Sequence, residues 1–231
     1  MRLLLLALSL SALGAGSYVA LTHALPAGGG RQSAGGDASR PVGGDARPST
    51  DPPADDGAPG PRPTVRTRVT TETYAVAGQT AGQVLASMWA AGPRAGGEVF
   101  FGLTVAEIGL RYDAVTDAGG CALRAVEVDL AVTITLPDWT PGPAAEPALA
   151  RDWGRFRRAL AAHEGRHREI AEAGAAAVAR GLDGLRRPSC AAAEAEVGRR
   201  LARLERDLAA AQRRFDAETD HGRTEGAVWP R

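Results

Sequence analysis

The sequence contains no lysine and no asparagine, so all 27 basic residues are arginine. Without asparagine the chain has no acceptor for N-linked glycosylation. The 27 acidic residues bring the formal net charge to zero, and this balance gives no electrostatic indication of nucleic-acid binding. Cysteine is limited to Cys121 and Cys190, which are too few and too widely spaced to form a metal site of their own.

The N-terminal segment has the composition of an export signal. Residues 3–21 are apolar apart from small Ser and Gly residues, and Arg2 precedes them with a positive charge. This stretch is longer than the usual core of a cleaved signal peptide and close to the about 20 residues of a membrane-spanning helix. We expect residues 1–26 to be a signal peptide or an N-terminal anchor inserted through residues 3–22. Both alternatives predict a secreted or periplasmic, extracytoplasmic protein.

Residues 27–63 consist almost entirely of Gly, Pro, Ala, Ser, Asp and Arg. Such a segment has little apolar surface to bury, so it cannot offset the entropy lost on ordering. We interpret it as a disordered linker that holds a folded domain, residues 64–231, away from the membrane.

An even number of cysteines in an exported chain suggests one disulfide, Cys121–Cys190. The alternative is a pair of free buried thiols.

The first half of the domain has the pattern of a β-sheet. Residues 65–76 and 99–112 are predicted strands, and a short helix capped by Thr80 lies between them. The clearest strand is 121–136, where apolar residues from Val126 to Leu136 alternate with polar or small ones. Period-two alternation predicts one buried and one solvated face.

The second half has the pattern of two long helices. From Pro147, apolar residues and two histidines recur at alternating steps of three and four residues up to Ala177, which predicts one continuous helix face. Residues 181–188 contain two glycines and a proline and predict a turn. A second stripe runs from Val197 to Phe215. The predicted fold is α+β, a small antiparallel sheet packed on a long antiparallel helical hairpin.

The first helix carries the motif His163-Glu164-Gly165-Arg166-His167. Histidines four residues apart project from one helix face and can bind one zinc ion, with Glu164 as general base on the metal-activated water. Both histidines lie in the apolar stripe, where solvated side chains are not expected. The alternative is a pair of core histidines that bind backbone or carboxylate groups.

A catalytic zinc site needs a third protein ligand. Glu194 lies on the second stripe, but a turn centred near residue 186 would place residues 205–209 level with the motif and leave Glu194 too far along. The tail after the second helix can fold back, and it carries His221. We predict His163, His167 and His221 as the zinc ligands. Asp220 is an alternative, as a ligand or as a partner of one. If His221 is not the third ligand, Asp220, Asp216 and Glu194 are the remaining candidates.

The chain resembles DUF922, a bacterial family described as predicted secreted zinc-dependent proteases. The resemblance covers about residues 74–229. It rests on residues 153–167 with the His-Glu motif, the strand end at 133–137, the two cysteines, and the tail from Phe215-Asp216 through the Asp-His-Gly element at 220–222. It implies an envelope or secreted location and a metallopeptidase activity.

Three functions remain open on the sequence. The first is a zinc-dependent peptidase of the bacterial cell envelope, acting on peptide or protein substrates with Glu164 as general base. The second is a non-catalytic envelope module that uses zinc structurally or binds a partner. The third is a tethered structural protein without metal. No nucleic-acid partner is expected.

Overall fold

The computed structural model describes residues 62–230 and, for the backbone alone, residues 2–4, 6–8 and 17–23. Half of the predicted targeting segment, 1–26, and nearly all of the predicted linker, 27–63, therefore lie outside the described residues. Within the part of the chain that is described, none of the helices combines the length and apolar character needed to cross a bilayer.

The fold is α+β, with one large mixed sheet and three α-helices in the described residues. The strands of this sheet are β1 (Arg2–Leu4), β2 (Leu6–Leu8), β3 (Ser17–His23), β4 (Thr64–Val76), β7 (Leu103–Asp117), β8 (Gly120–Trp139) and β9 (Arg186–Arg187). A separate pair is formed by β5 (Arg94–Ala95) and β6 (Glu98–Val99). The helices are α1 (Ala81–Ala91), α2 (Pro147–Leu182) and α3 (Cys190–Thr219), followed by a 3₁₀ turn, Arg223–Glu225.

The sheet has the order β2-β3-β7-β8-β4, with β1 paired to β7 and β9 to β8. Strands β7 and β8 are antiparallel, whereas β4 pairs with β8 in parallel. The prediction of a small antiparallel sheet was wrong in this respect. Parallel neighbours need a crossover connection, and here α1 and β7 lie between β4 and β8 in the chain. Alternation of apolar residues does not reveal this, because it reports a half-buried strand of either orientation.

The alternation predicted for β8 is confirmed, since its apolar positions from Val126 to Leu136 are all buried. Ala125 has φ +48°, and it lies where the register between β7 and β8 shifts. Such a bulge changes which side chains face the core, so the regular alternation begins only at Val126.

The helices pack on the sheet through the predicted stripes. The buried residues of α2 begin with Leu149 and Trp153 and include both motif histidines. Thr80 caps the N-terminus of α1, since its side chain accepts a hydrogen bond from the backbone N–H of Gln83. A disulfide joins Cys121 to Cys190, which attaches the start of α3 to the start of β8 and stabilises the fold by about 2–5 kcal/mol.

The C-terminal tail returns to the sheet–helix core. Trp229 is buried against the rings of Trp153 and Phe156, with both centroid distances 5.6 Å. Its indole N–H donates to the backbone carbonyl of Ala81. The tail is thereby fixed between α1 and α2, beside the His-Glu motif.

Candidate functional site

The motif histidines lie buried on the face of α2 that meets α3. His163 is 3% exposed and His167 1% exposed. Their Nε2 atoms are 3.1 Å apart, and both approach Oδ1 of Asp216 on α3, at 3.3 Å from His163 and 2.9 Å from His167. The three ligand-type atoms lie within 4.8 Å of one another.

The far side of each imidazole is held by a hydrogen-bond acceptor. Nδ1 of His167 donates to Oε1 of Gln212 at 2.6 Å. The orientation of that amide is fixed, because its NH₂ donates to the backbone carbonyl of His167. Nδ1 of His163 donates to a carboxylate oxygen of Glu225 at 2.9 Å. Since both Nδ1 atoms carry the proton of a neutral ring, both Nε2 atoms present lone pairs to each other and to Asp216.

Three acceptor atoms at these distances repel one another unless a positive charge lies among them. Burial lowers the pKa of His163, but the hydrogen bonds to Asp216 and Glu225 outweigh it and raise the value overall. Burial alone would raise the pKa of Asp216, yet the two histidines lower it to about 2. The cluster therefore favours a bound cation, either a proton on a histidine or a metal ion.

Asp216 supplies a further indication of this preference. Its second oxygen, Oδ2, is buried and has no hydrogen-bond partner among the described residues. A buried carboxylate oxygen without a donor is costly. Two imidazoles and a carboxylate also match the chemistry of divalent transition-metal sites, so the residues present fit a metal ion.

Glu164 is buried beside the cluster but is not one of its three members. Its Oε2 accepts a hydrogen bond from the Thr104 hydroxyl at 2.7 Å. Its Oε1 lies against Gly102, so closely that a Cβ on residue 102 would be 2.6 Å away. Burial raises the pKa of Glu164, although His167 and the Thr104 hydroxyl act in the opposite direction. A raised pKa suits a carboxylate that takes up and returns a proton near neutral pH.

A cleft of about 650 Å³ opens onto the cluster and exposes His163, Glu164 and Asp216 at its floor. Its walls are largely apolar and come from α1, the segment before β7, α2 and the tail. The wall residues are Leu85, Trp89, Val99, Phe100, Phe101, Phe156, Leu160, Ala227, Val228 and Trp229. The charged groups on its rim are Glu98 and Arg223, together with His221.

His221 does not join the cluster as predicted. Its Nδ1 lies 3.8 Å from Oδ1 of Asp216, and the side chain is 54% exposed. Asp216 takes the third place instead. Helix α3 continues to Thr219, so Asp216 still projects toward α2, whereas His221 follows the helix end at φ +54° and lies at the rim. Asp220 is mainly solvent-exposed and forms an ion pair with Arg223.

One signal in the sequence pointed to Asp216. The buried stripe of α3 runs through Leu208, Gln212, Asp216 and Thr219, so polar residues occupy its last two turns. The predicted level of the motif, residues 205–209, was wrong by about two turns, because His167 meets Gln212 and Asp216. The connection, residues 183–189, is centred at 186 as predicted, but the two helices do not pair symmetrically about it. Glu194 lies near the start of α3, at the opposite end from Asp216. This position agrees with its exclusion as a metal ligand.

Comparison with known proteins gives one match. No curated protein and no solved structure matches the chain. The model of DUF922, described as a bacterial protein of unknown function, matches residues 71–222, a range that includes the cluster, Glu164 and Gly222. The chain therefore belongs to the bacterial family DUF922.

Proposed function

We propose that this protein is a zinc-dependent peptidase of the bacterial cell envelope, with His163, His167 and Asp216 as metal ligands and Glu164 as general base. The observation that carries this function is the position of Glu164: it is buried at the floor of the cleft, next to the three ligand-type atoms but outside them. A bound zinc ion would activate a water molecule and polarise the carbonyl of the scissile bond.

The roles of the protein groups follow from their contacts. Gln212 and Glu225 hold the two Nδ1 protons and aim both Nε2 lone pairs at one point. Thr104 binds one oxygen of Glu164 and leaves Oε1 on the Gly102 side of the carboxylate. Glu164 takes a proton from the attacking water and delivers it to the leaving amine.

The proposed fold around this site is an antiparallel helical hairpin of α2 and α3. The order of contacts supports it: Gln212 binds His167, Leu208 packs over Gly174, and Arg200 donates to the carbonyl of Gly181. Residue numbers fall along α3 as they rise along α2. In this arrangement the ligands come from two rigid helices held by the sheet.

The envelope location has two supports. Residues 3–21 have the composition of an export signal or anchor. The Cys121–Cys190 disulfide is of a kind that persists in oxidising compartments.

A non-catalytic zinc-binding envelope module is the second candidate, and His221 favours it. Its Nδ1 is 3.8 Å from Asp216, near enough for a small movement to bring a fourth protein group to the ligand cluster. Four protein ligands close a structural zinc site, whereas a catalytic site keeps one position for water. The buried Glu164 has no function in the closed site, so the peptidase is preferred.

The first test is metal content and its link to hydrolysis. We expect one zinc per chain, measured by elemental analysis, and loss of peptide hydrolysis on chelation with recovery when zinc is returned. His163→Ala should abolish stoichiometric zinc. Arg166→Ala, in the same motif but with a mostly exposed side chain paired to Glu169, should retain it. Stoichiometric zinc in His163→Ala would contradict the assignment.

Gly222 provides a test of ring placement. It has φ +81°, and a Cβ there would lie 2.9 Å from Cγ of His163. We expect Gly222→Ala to lower zinc affinity by about tenfold or more, because it displaces the imidazole. Gly184→Ala is the control, since φ is +63° but no atom lies within 4 Å; it should cost only about 1 kcal/mol of stability. Competition with a chromophoric chelator measures the affinity, and equal affinities would contradict the close packing of His163 and Gly222.

A further inference from the structure

We propose that the cleft binds peptide segments through a large aliphatic or aromatic side chain, which packs on Trp89, Phe101 and Val228 and selects the bond to be cut. The inference rests on the proposed peptidase function. It names the substrate class that this function leaves open, namely polypeptides with a bulky apolar residue next to the scissile bond.

The first observation is apolar surface exposed at the mouth of the site. Trp89 is 53% exposed and Val228 52% exposed, and both line the cleft above Glu164. Tryptophan side chains are usually well buried. A tryptophan held half in solvent beside a buried carboxylate and two histidines indicates a surface that is covered when a ligand is bound.

The wall is preformed. The Trp89 and Phe101 rings meet edge to face at 4.8 Å, and the backbone carbonyl of Phe101 accepts a hydrogen bond from the Tyr74 hydroxyl. Val228 precedes Trp229, whose indole is anchored to α1. Little side-chain freedom is therefore lost when an apolar group packs on this wall, which favours binding.

Size and an apolar lining select the occupant. The volume, about 650 Å³, falls within the roughly 300–1,000 Å³ of ligand-binding clefts, so a large side chain with the adjoining backbone can enter. The walls are largely apolar, so an acidic side chain packed on them would lose its hydration.

Binding can be measured without hydrolysis on the zinc-loaded full chain carrying Glu164→Gln. The probes are three capped glycine-rich heptapeptides that differ only at the central residue, Phe, Ala or Asp, titrated by calorimetry. We expect the Phe peptide to bind about tenfold more tightly than the Ala peptide and the Asp peptide most weakly. Trp89→Ala and Val228→Ala, each added to this background, should remove most of the Phe preference.

Val115→Ala is the matched control. Val115 is 47% exposed on β7 and does not line the cleft, so its removal should leave the Phe preference intact. Equal affinity for the three peptides, or an unchanged preference in Trp89→Ala and Val228→Ala, would overturn the inference.

Hydrolysis is measured in a separate experiment, in which the wild-type chain is incubated with a peptide mixture. Mass spectrometry of the products identifies the cleavage sites. Cleavage next to Phe, Leu, Met or Trp supports the inference. Cleavage next to small or acidic residues overturns it and leaves the peptidase function standing. A Phe preference in binding without any cleavage would support the apolar recognition and contradict the peptidase.

Discussion

Glu164→Gln should lower peptide hydrolysis by about 10²–10⁴-fold while zinc affinity stays within a few-fold of wild type. The amide matches the carboxylate in size, and its oxygen can still accept the hydrogen bond from Thr104. Because an amide cannot take up the proton of the attacking water, only the proton transfer is removed. Hydrolysis rates and a zinc competition titration on the same preparation separate the two effects.

Glu205→Gln is the matched control for this change. Glu205 is 7% exposed and lies on α3, about two turns before Gln212, and it does not line the cleft. It tests the cost of neutralising a buried glutamate without touching the site, and its hydrolysis should be unchanged. Undiminished hydrolysis in Glu164→Gln would end the role assigned to Glu164.

The pH profile gives a second measure of the same group. Burial raises the pKa of Glu164, so its carboxylate becomes protonated at a higher pH than an ordinary glutamate. In the metal-free chain this carboxyl should therefore titrate at a pH above the usual range of glutamate, as measured by NMR. Its titration should be missing from the Glu164→Gln variant, which identifies the group.

The sequence predicted the buried face of an element correctly wherever its periodic pattern fits only one type of secondary structure. The stripe from Leu149 to His167 predicted the buried face of α2 because a helix can bury only one side of its surface in this way. The alternation from Val126 to Leu136 predicted β8 for the corresponding reason. In both elements the local pattern and the tertiary packing agree, which is the usual condition for a reliable prediction.

Two features depended on relations between distant segments. The parallel pairing of β4 with β8 is decided by the path of the chain through α1 and β7. Strand β4 is exposed from Thr64 to Thr73. Its sequence therefore has no apolar pattern that would indicate the parallel pairing with β8. The position of Asp216 opposite the motif depends on how far α3 is shifted along α2, and the length and centre of the connection, residues 183–189, do not fix that shift.

The third metal ligand can be identified by comparing the zinc affinities of Asp216→Ala and His221→Ala. Asp216→Ala should lower zinc affinity by more than about 100-fold, because it removes a buried carboxylate 2.9 Å from Nε2 of His167 and 3.3 Å from that of His163. His221→Ala should change zinc affinity by less than about threefold, since the side chain is 54% exposed and lies at the rim. A chelator competition titration on both variants gives the comparison directly.

The alternatives give distinct results. If His221 were the third ligand, as the sequence predicted, His221→Ala would cause the larger loss and Asp216→Ala the smaller. If both variants lost zinc strongly, four protein groups would close the site, and the non-catalytic module would replace the peptidase.

A fold defect is separated from lost ligation by thermal unfolding of the metal-free proteins. In the metal-free protein, Asp216→Ala has two opposing effects on stability. It removes a buried carboxylate oxygen, Oδ2, that has no partner among the described residues, and it removes the contacts of Oδ1 with both histidines. A stable, folded Asp216→Ala that no longer retains zinc beside a zinc-loaded His221→Ala would place the third ligand on α3.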